Sequence, residues 1–150
     1  MDIADVEAEA EGLVLSAFDE TAALRLGRIL CDLALIRALP VVINIRTSDR
    51  TLFHAALPGS TPMNDLWAHR KSNTALKFHA ASLLVGLRNR AKGQTLQREG
   101  LAEADHADHG GAVPIRVRGV GMVAVATVSG LPQVEDHRLV VQGIRALRAE

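Results

Sequence analysis

Two short β-rich segments, each broken by a tight polar turn, set the narrowest limits on how this chain can fold. Val41 to Thr47 and Thr51 to Leu57 are rich in Val, Ile, Leu and Phe, and Ser48, Asp49 and Arg50 between them suit a hairpin turn. Gly111 to Val117 and Met122 to Val128 repeat the pattern across Arg118, Gly119, Val120 and Gly121. Hairpins join antiparallel neighbours, whereas a doubly wound parallel sheet needs a crossover between every neighbouring pair. The sheet is therefore expected to be antiparallel. In the first strand Val41, Ile43 and Ile45 share one face, opposite Val42, Asn44 and Arg46, and an antiparallel sheet permits such a mixed face.

Helical periodicity fills much of the remaining chain. Phe18 and Asp19 read as a staple residue and an N-cap, and Ala22, Leu26, Ile29, Leu30, Leu33 and Ile36 recur at the spacing of a buried face, until Pro40 stops the helix. Pro58 and Gly59 make a turn, Ser60 or Thr61 can cap, and Pro62 suits a first helical position, so a second long helix starts there and extends or restarts as far as Lys92. Gln94 to Gly110 is polar and without clear period, a long surface loop. Pro132 opens a last helix whose inward stripe is His137, Val140, Val141, Ile144 and Leu147. Asp2 to Ala10 reads as a short acidic helix, and Leu13 to Ser16 as an edge strand. The expected fold class is α+β, an antiparallel sheet of about five strands flanked by helices.

Composition narrows the function. At 150 residues residues 1–150 are expected to form one domain able to bury a sizeable core. Seventeen basic residues balance seventeen acidic ones, which leaves no electrostatic footprint for nucleic acid or an anionic membrane. The longest apolar run, Ala22 to Ile45, carries Arg25, Arg28, Asp32 and Arg37 and does not suit a bilayer. Cys31 is the single cysteine, which excludes an intramolecular disulfide and fits a reducing compartment. The acidic start MDIADVEAEAEG lacks the basic and apolar regions of an export signal, and the cytoplasm is the expected location.

The unusual chemistry is concentrated after Pro62. At helical spacing Asn64, Trp67, Lys71, Ala75, Phe78 and Ser82 fall on one stripe, with Arg70 beside it. Two readings stand. In one, Lys71 packs its stem along Trp67 and sends its charge to water; in the other, Arg70 and Lys71 form a half-buried anion site beside the indole. The helix starts at Pro62 and Pro132 both follow small-residue turns and expose N–H groups. If the fold brings them together, Asn64, Arg70, Lys71, Ser129 and Gly130 line a ligand pocket walled by Trp67 and Phe78. His106 and His109, in the string Asp105, His106, Asp108, His109, are the candidates for a metal or an axial contact, but no helix-borne HExxH pattern frames them. Ser129 lacks a strained GxSxG elbow, so no Ser/His/Asp triad is assigned with Asp136 and His137.

The run ALPGSTPMNDLWAHRKSN, and the later GGAVPIRV and ATVSGLPQVEDHRLVV, carry two combined motifs, N-x-x-W-x-x-R-K-x-N at Asn64 to Asn73 and V-S-G-L-P-x-x-x-D-H at Val128 to His137. From Phe18 onward the chain resembles the UPF0303 family, itself similar to the DUF336 group of GlcG-like and HbpS-like proteins, the haem-degrading domain family. The resemblance implies a profilin-like three-layer sandwich and a homo-oligomer, a dimer or a larger ring. It also implies an oligomeric small-molecule-binding protein taking haem or another anionic ligand, with an assembly module that binds no small molecule as the alternative. One departure is Ala81-Ser82 where the family usually has two serines. Asn64, Trp67, Arg70, Lys71, Ser129, Gly130, Asp136 and His137 match motif positions, none with an assigned catalytic role.

Overall fold

The computed structural model describes residues 1–150. Its elements run α1 (Ile3–Glu11), α2 (Glu20–Ile36), β1 (Val42–Arg46), β2 (Thr51–Ala56), α3 (Pro62–Phe78), α4 (Ser82–Lys92), β3 (Ala112–Val117), β4 (Gly121–Ser129) and α5 (Gln133–Arg148), with a short 3₁₀ turn at Leu96–Glu99. The class is α+β. The sheet has four strands in the order β2-β1-β4-β3, every neighbouring pair antiparallel. Both hairpins form as their turn residues require, and β1 pairs centrally with β4, Val42 opposite Ser129 and Arg46 opposite Val125.

The expected fifth strand is not there. Leu13 to Ser16 contributes one isolated parallel bridge, Leu15 to Val117, in which Leu15 N–H donates to Arg116 O and Leu15 O accepts from Arg118 N–H. Its apolar residues, Leu13 and Leu15, instead enter the main core as single plugs. Ile36 is a second correction: it is 85% exposed. The face that α2 buries runs through Ala23, Leu26, Gly27, Leu30 and Ala34, rotated from the one the largest side chains suggest, because Gly27 and Ala34 let the helix approach its neighbours closely. Of the two courses expected after Pro62, the helix restarts: α3 ends at His79, which takes a left-handed φ of 51°, and α4 runs on to Lys92.

The core lies mainly on one side of the sheet. Val41 just before β1, Ile43 and Ile45 from β1, Val113 and Ile115 from β3, and Ala124, Ala126 and Val128 from β4 pack against Leu26 and Leu30 of α2 and Val140 and Ile144 of α5. Each large side chain fully buried there contributes roughly 1.5–3 kcal/mol. The other side is covered by α3, which reaches the sheet through small residues such as Ala68, Ser72 and Ala75. Arg46, on the mixed face of β1, donates to Asn73 Oδ1 at 2.7 Å and Ser72 Oγ at 3.2 Å. No helix is long and apolar enough to cross a membrane.

The first helix is tied down by a buried polar contact. Val6 packs among Ala80, Leu83, Leu84 and Leu96, and Glu9 Oε1 lies 2.6 Å from Nε2 of His137, which is 1% exposed. Burial, opposed by Glu9, holds the His137 imidazole below its ordinary value of 6.5. The unfolded chain therefore takes up this proton at higher pH than the folded chain does. The contribution to stability is complete above about pH 6.5 and shrinks as pH falls toward the folded value. Thermal melts are expected to show a larger loss of Tm between about pH 7.5 and about pH 5.5 in the wild type than in His137→Gln; equal losses would contradict this account.

Candidate functional site

α3 begins where the sequence signals place it. Pro62 occupies its first turn, Thr61 N–H donates to Asn64 Oδ1 at 2.8 Å, and Asp65 sits in the positive first turn. Trp67 and Lys71 follow at one-turn spacing and face the end of β4 and the start of α5. A cavity of about 280 Å³ opens there, lined by Asn64, Trp67 and Lys71 of α3, His109 and Gly110 of the long loop, and Ser129, Gly130, Leu131, Gln133 and Asp136 at the β4–α5 turn. The two helix starts therefore converge on one space.

Lys71 is 3% exposed, and all three of its donors are taken: Val128 O at 2.9 Å, Gly110 O at 3.0 Å and Asp136 Oδ2 at 3.1 Å. Asp136, 2% exposed, accepts in addition from Leu131 N–H at 2.9 Å and Gly130 N–H at 3.3 Å. Burial pulls the ammonium below its ordinary range and pushes the carboxyl above its own, and each charge opposes the other's shift. Two glycines make the arrangement sterically feasible. A Cβ on Gly111, φ +140°, would lie 2.4 Å from Val128 O and 2.5 Å from Lys71 Nζ, and one on Gly130, φ +146°, 2.6 Å from Pro40 O.

Trp67 is half-buried between two polar neighbours. The Arg70 guanidinium carbon stands 4.6 Å from its ring centroid, and His109 meets it edge-on at 5.4 Å. Arg70 Nε also donates to Glu103 O at 3.0 Å, which ties the long loop to α3. Burial lowers the His109 pKa, and the nearby Arg90, Lys71 and Arg70 add to the effect against Asp108. Asn64 uses its side-chain oxygen on Thr61 N–H, and Gln133 uses its own on Gly110 N–H at 2.9 Å. Neither amide nitrogen has a hydrogen-bond partner within the protein, and both residues line the cavity.

Of the six residues singled out from sequence, Asn64, Trp67, Lys71, Ser129 and Gly130 line this one space, while Arg70 stacks on the indole outside it. The free ammonium imagined for Lys71 is corrected: its charge is consumed inside the protein. Phe78 does not wall the cavity; it is 39% exposed at the far end of α3 and lines a different one. His109 reaches the cavity rim, but His106 bonds Ala102 O and lies elsewhere, and no three His, Cys, Asp or Glu side chains converge as a metal set. The sequence reading omitted Gln133 and Asp136 from the lining. An inward-facing Lys71 calls for a buried carboxylate, and Asp136, next to His137 on the inward side of α5, carried that signal.

Known proteins fit this architecture. The family described as haem degrading protein HbpS-like matches residues 18–145. A UPF0303 protein of Streptomyces coelicolor is 46% identical over 149 residues, 99% of this chain and 94% of its own length. Among solved structures, that of the Ybr137w protein superposes with a TM-score of 0.90 at 30% identity, covering 99% of this chain and 88% of that one. The PduOC:heme complex shares the fold at a TM-score of 0.70 and 19% identity, over 87% of this chain and 94% of that one. Four antiparallel strands under five helices, with both sequence motifs meeting at the Lys71–Asp136 pair, are thus found in a chain that belongs to the HbpS-like family and, within it, to the UPF0303 proteins.

Proposed function

We propose that this protein binds a small anionic ligand, a carboxylate with a flat body, in the cavity between Trp67 and the start of α5. The observation that carries the reading is the donor set: the amide nitrogens of Asn64 and Gln133, the Ser129 hydroxyl and the positive end of α5 face one space beside an indole. Asp136 does not offset them, because Lys71 and two backbone N–H groups already surround its carboxylate. In this reading Lys71 shapes the site and does not touch the ligand. Arg70 holds the indole in place and adds positive potential at the rim.

Haem, the group that the family description names, does not fit inside this space in one copy of the chain. The volume of about 280 Å³ lies at the lower edge of what even drug-sized ligands occupy. Trp67 and Leu131 are the only apolar side chains among ten lining residues, whereas a macrocycle needs apolar walls. A smaller acid is the better match.

Trp67 is the chain's single tryptophan and there is no tyrosine, so intrinsic emission reports directly on this site. Benzoate is expected to change that emission saturably. The paired substitution Asn64→Asp with Gln133→Glu keeps both structural acceptor oxygens but replaces the donors with negative charge, and should weaken benzoate by about tenfold or more. No saturable change, or an unaltered one in the variant, would end the proposal. A saturable Soret shift with haemin that survives the same two substitutions would place haem at another site.

A second reading is assembly, favoured by Leu24, Leu35 and Ile36 of α2, which are 45%, 51% and 85% exposed. We propose that this edge of α2 packs against another copy. Leu35→Asp with Ile36→Asp should lower the native mass measured by light scattering and leave benzoate binding in place; an unchanged mass removes α2 from the contact.

The structural role of Lys71 has its own signature. Lys71→Met leaves Asp136 buried without its partner and is expected to cost about 3–5 kcal/mol in chemical denaturation. Lys71→Met with Asp136→Asn should recover part of that loss, since no lone charge is left inside. A double variant less stable than the single one would refute the pairing account.

A further inference from the structure

A second cavity, of about 250 Å³, lies beneath α1 and is lined on its other sides by the α3–α4 turn, α4 and β3. Val6, Ala10, Leu13, Phe78, Leu84 and Val113 give it apolar walls. Its charged neighbours are paired with one exception. Glu7 meets Arg88 at 3.6 Å, and Glu9 meets His137 at 2.6 Å. Arg116, half-buried on β3, donates to the His79 carbonyl but has no carboxylate beside it. His137 lines the same cavity, but its Nε2–H goes to Glu9, and its buried Nδ1 is then a lone pair that offers an anion nothing. A guanidinium taken partly out of water without a counter-charge is costly unless something anionic joins it.

We propose that this cavity binds a small carboxylic acid with a short apolar body, the carboxylate on Arg116 and the hydrocarbon among Val6, Leu13, Leu84 and Val113. A guanidinium presents paired N–H donors in the geometry of a carboxylate. The volume falls below the roughly 300–1,000 Å³ that holds drug-sized ligands, which limits the body to a short chain. Inorganic phosphate is disfavoured because it brings no apolar surface to the walls and places a higher charge near Glu7 and Glu9. The site is separate from the Trp67 cavity, with which it shares no lining residue. It also depends on α1, which lies outside residues 18–145 of the family match.

Isothermal titration of the full chain with hexanoate, 1-hexanol and inorganic phosphate tests the proposal. Hexanoate should saturate one site per chain, with 1-hexanol and phosphate at least about tenfold weaker. Arg116→Gln should weaken hexanoate by a similar factor and leave 1-hexanol unchanged. Ala10→Leu, which fills the cavity from α1 without touching β3, should abolish binding of both, with circular dichroism confirming that each variant is folded. The proposal is overturned if hexanoate does not saturate, if the alcohol or phosphate binds as well, or if Ala10→Leu binds like the wild type. Trp67 emission that titrates in step with the heat would also overturn it, since the acid would then occupy the other cavity.

Discussion

One buried ion pair organises this molecule. Lys71 and Asp136 are 65 positions apart in sequence, and between them they touch α3, the loop before β3, the last residues of β4 and the start of α5. The ammonium survives away from water because each of its protons meets an oxygen, two from the backbone and one from the carboxylate. Hydrocarbon packing alone would leave α3 free to slide along the sheet. Directional bonds from one side chain to three separate segments fix where Trp67 and Asn64 stand relative to Ser129 and Gln133.

The two faces of the sheet hold their helices by different means. Toward α2 and α5 the contact is a continuous apolar layer, tight enough that glycines face large side chains: Gly27 meets the Phe53 ring and Gly143 meets Leu30. Toward α3 the layer is thinner and partly polar, with Arg46 bonded to Ser72 and Asn73, and Thr74 Oγ1 accepting from Ala107 N–H at 3.1 Å. Small side chains leave room there for clefts, and hydroxyls and amides supply their lining. The Trp67 cavity lies on this second face because that is where the packing is incomplete and the available groups are polar.

Much of this was legible in the sequence wherever the signal was local. The hairpin turns, the caps at Asp19 and Thr61, Pro62 and the stripe of α5 each depend on residues within a few positions of one another, and each appears close to where pattern and propensity put it. Leu13 to Ser16 misled because a short apolar run after a glycine marks residues that turn inward whether or not a ladder forms around them. Phe78 misled because it lies in the last turn of α3, just before the left-handed residue His79 ends the helix, at the far end from the cavity. The partner of Lys71 went unassigned for a different reason. A contact between distant segments leaves no periodic trace, only the demand that a charge on a buried face be answered somewhere.

The single bridge made by Leu15 has an effect out of proportion to its length. Along the outer border of β3, Ala112 N–H is taken by the Ser82 hydroxyl at 3.0 Å, position 114 is a proline with no N–H to offer, and Arg116 O and Arg118 N–H are both occupied by Leu15. The N–H groups at 112 and 118 and the carbonyl at 116 are thus unavailable to a fifth strand arriving from another molecule. β2 is the opposite border of the sheet. Strand addition is therefore hindered on the β3 side, which favours a closed pairing of two sheets over the head-to-tail stacking from which fibres grow.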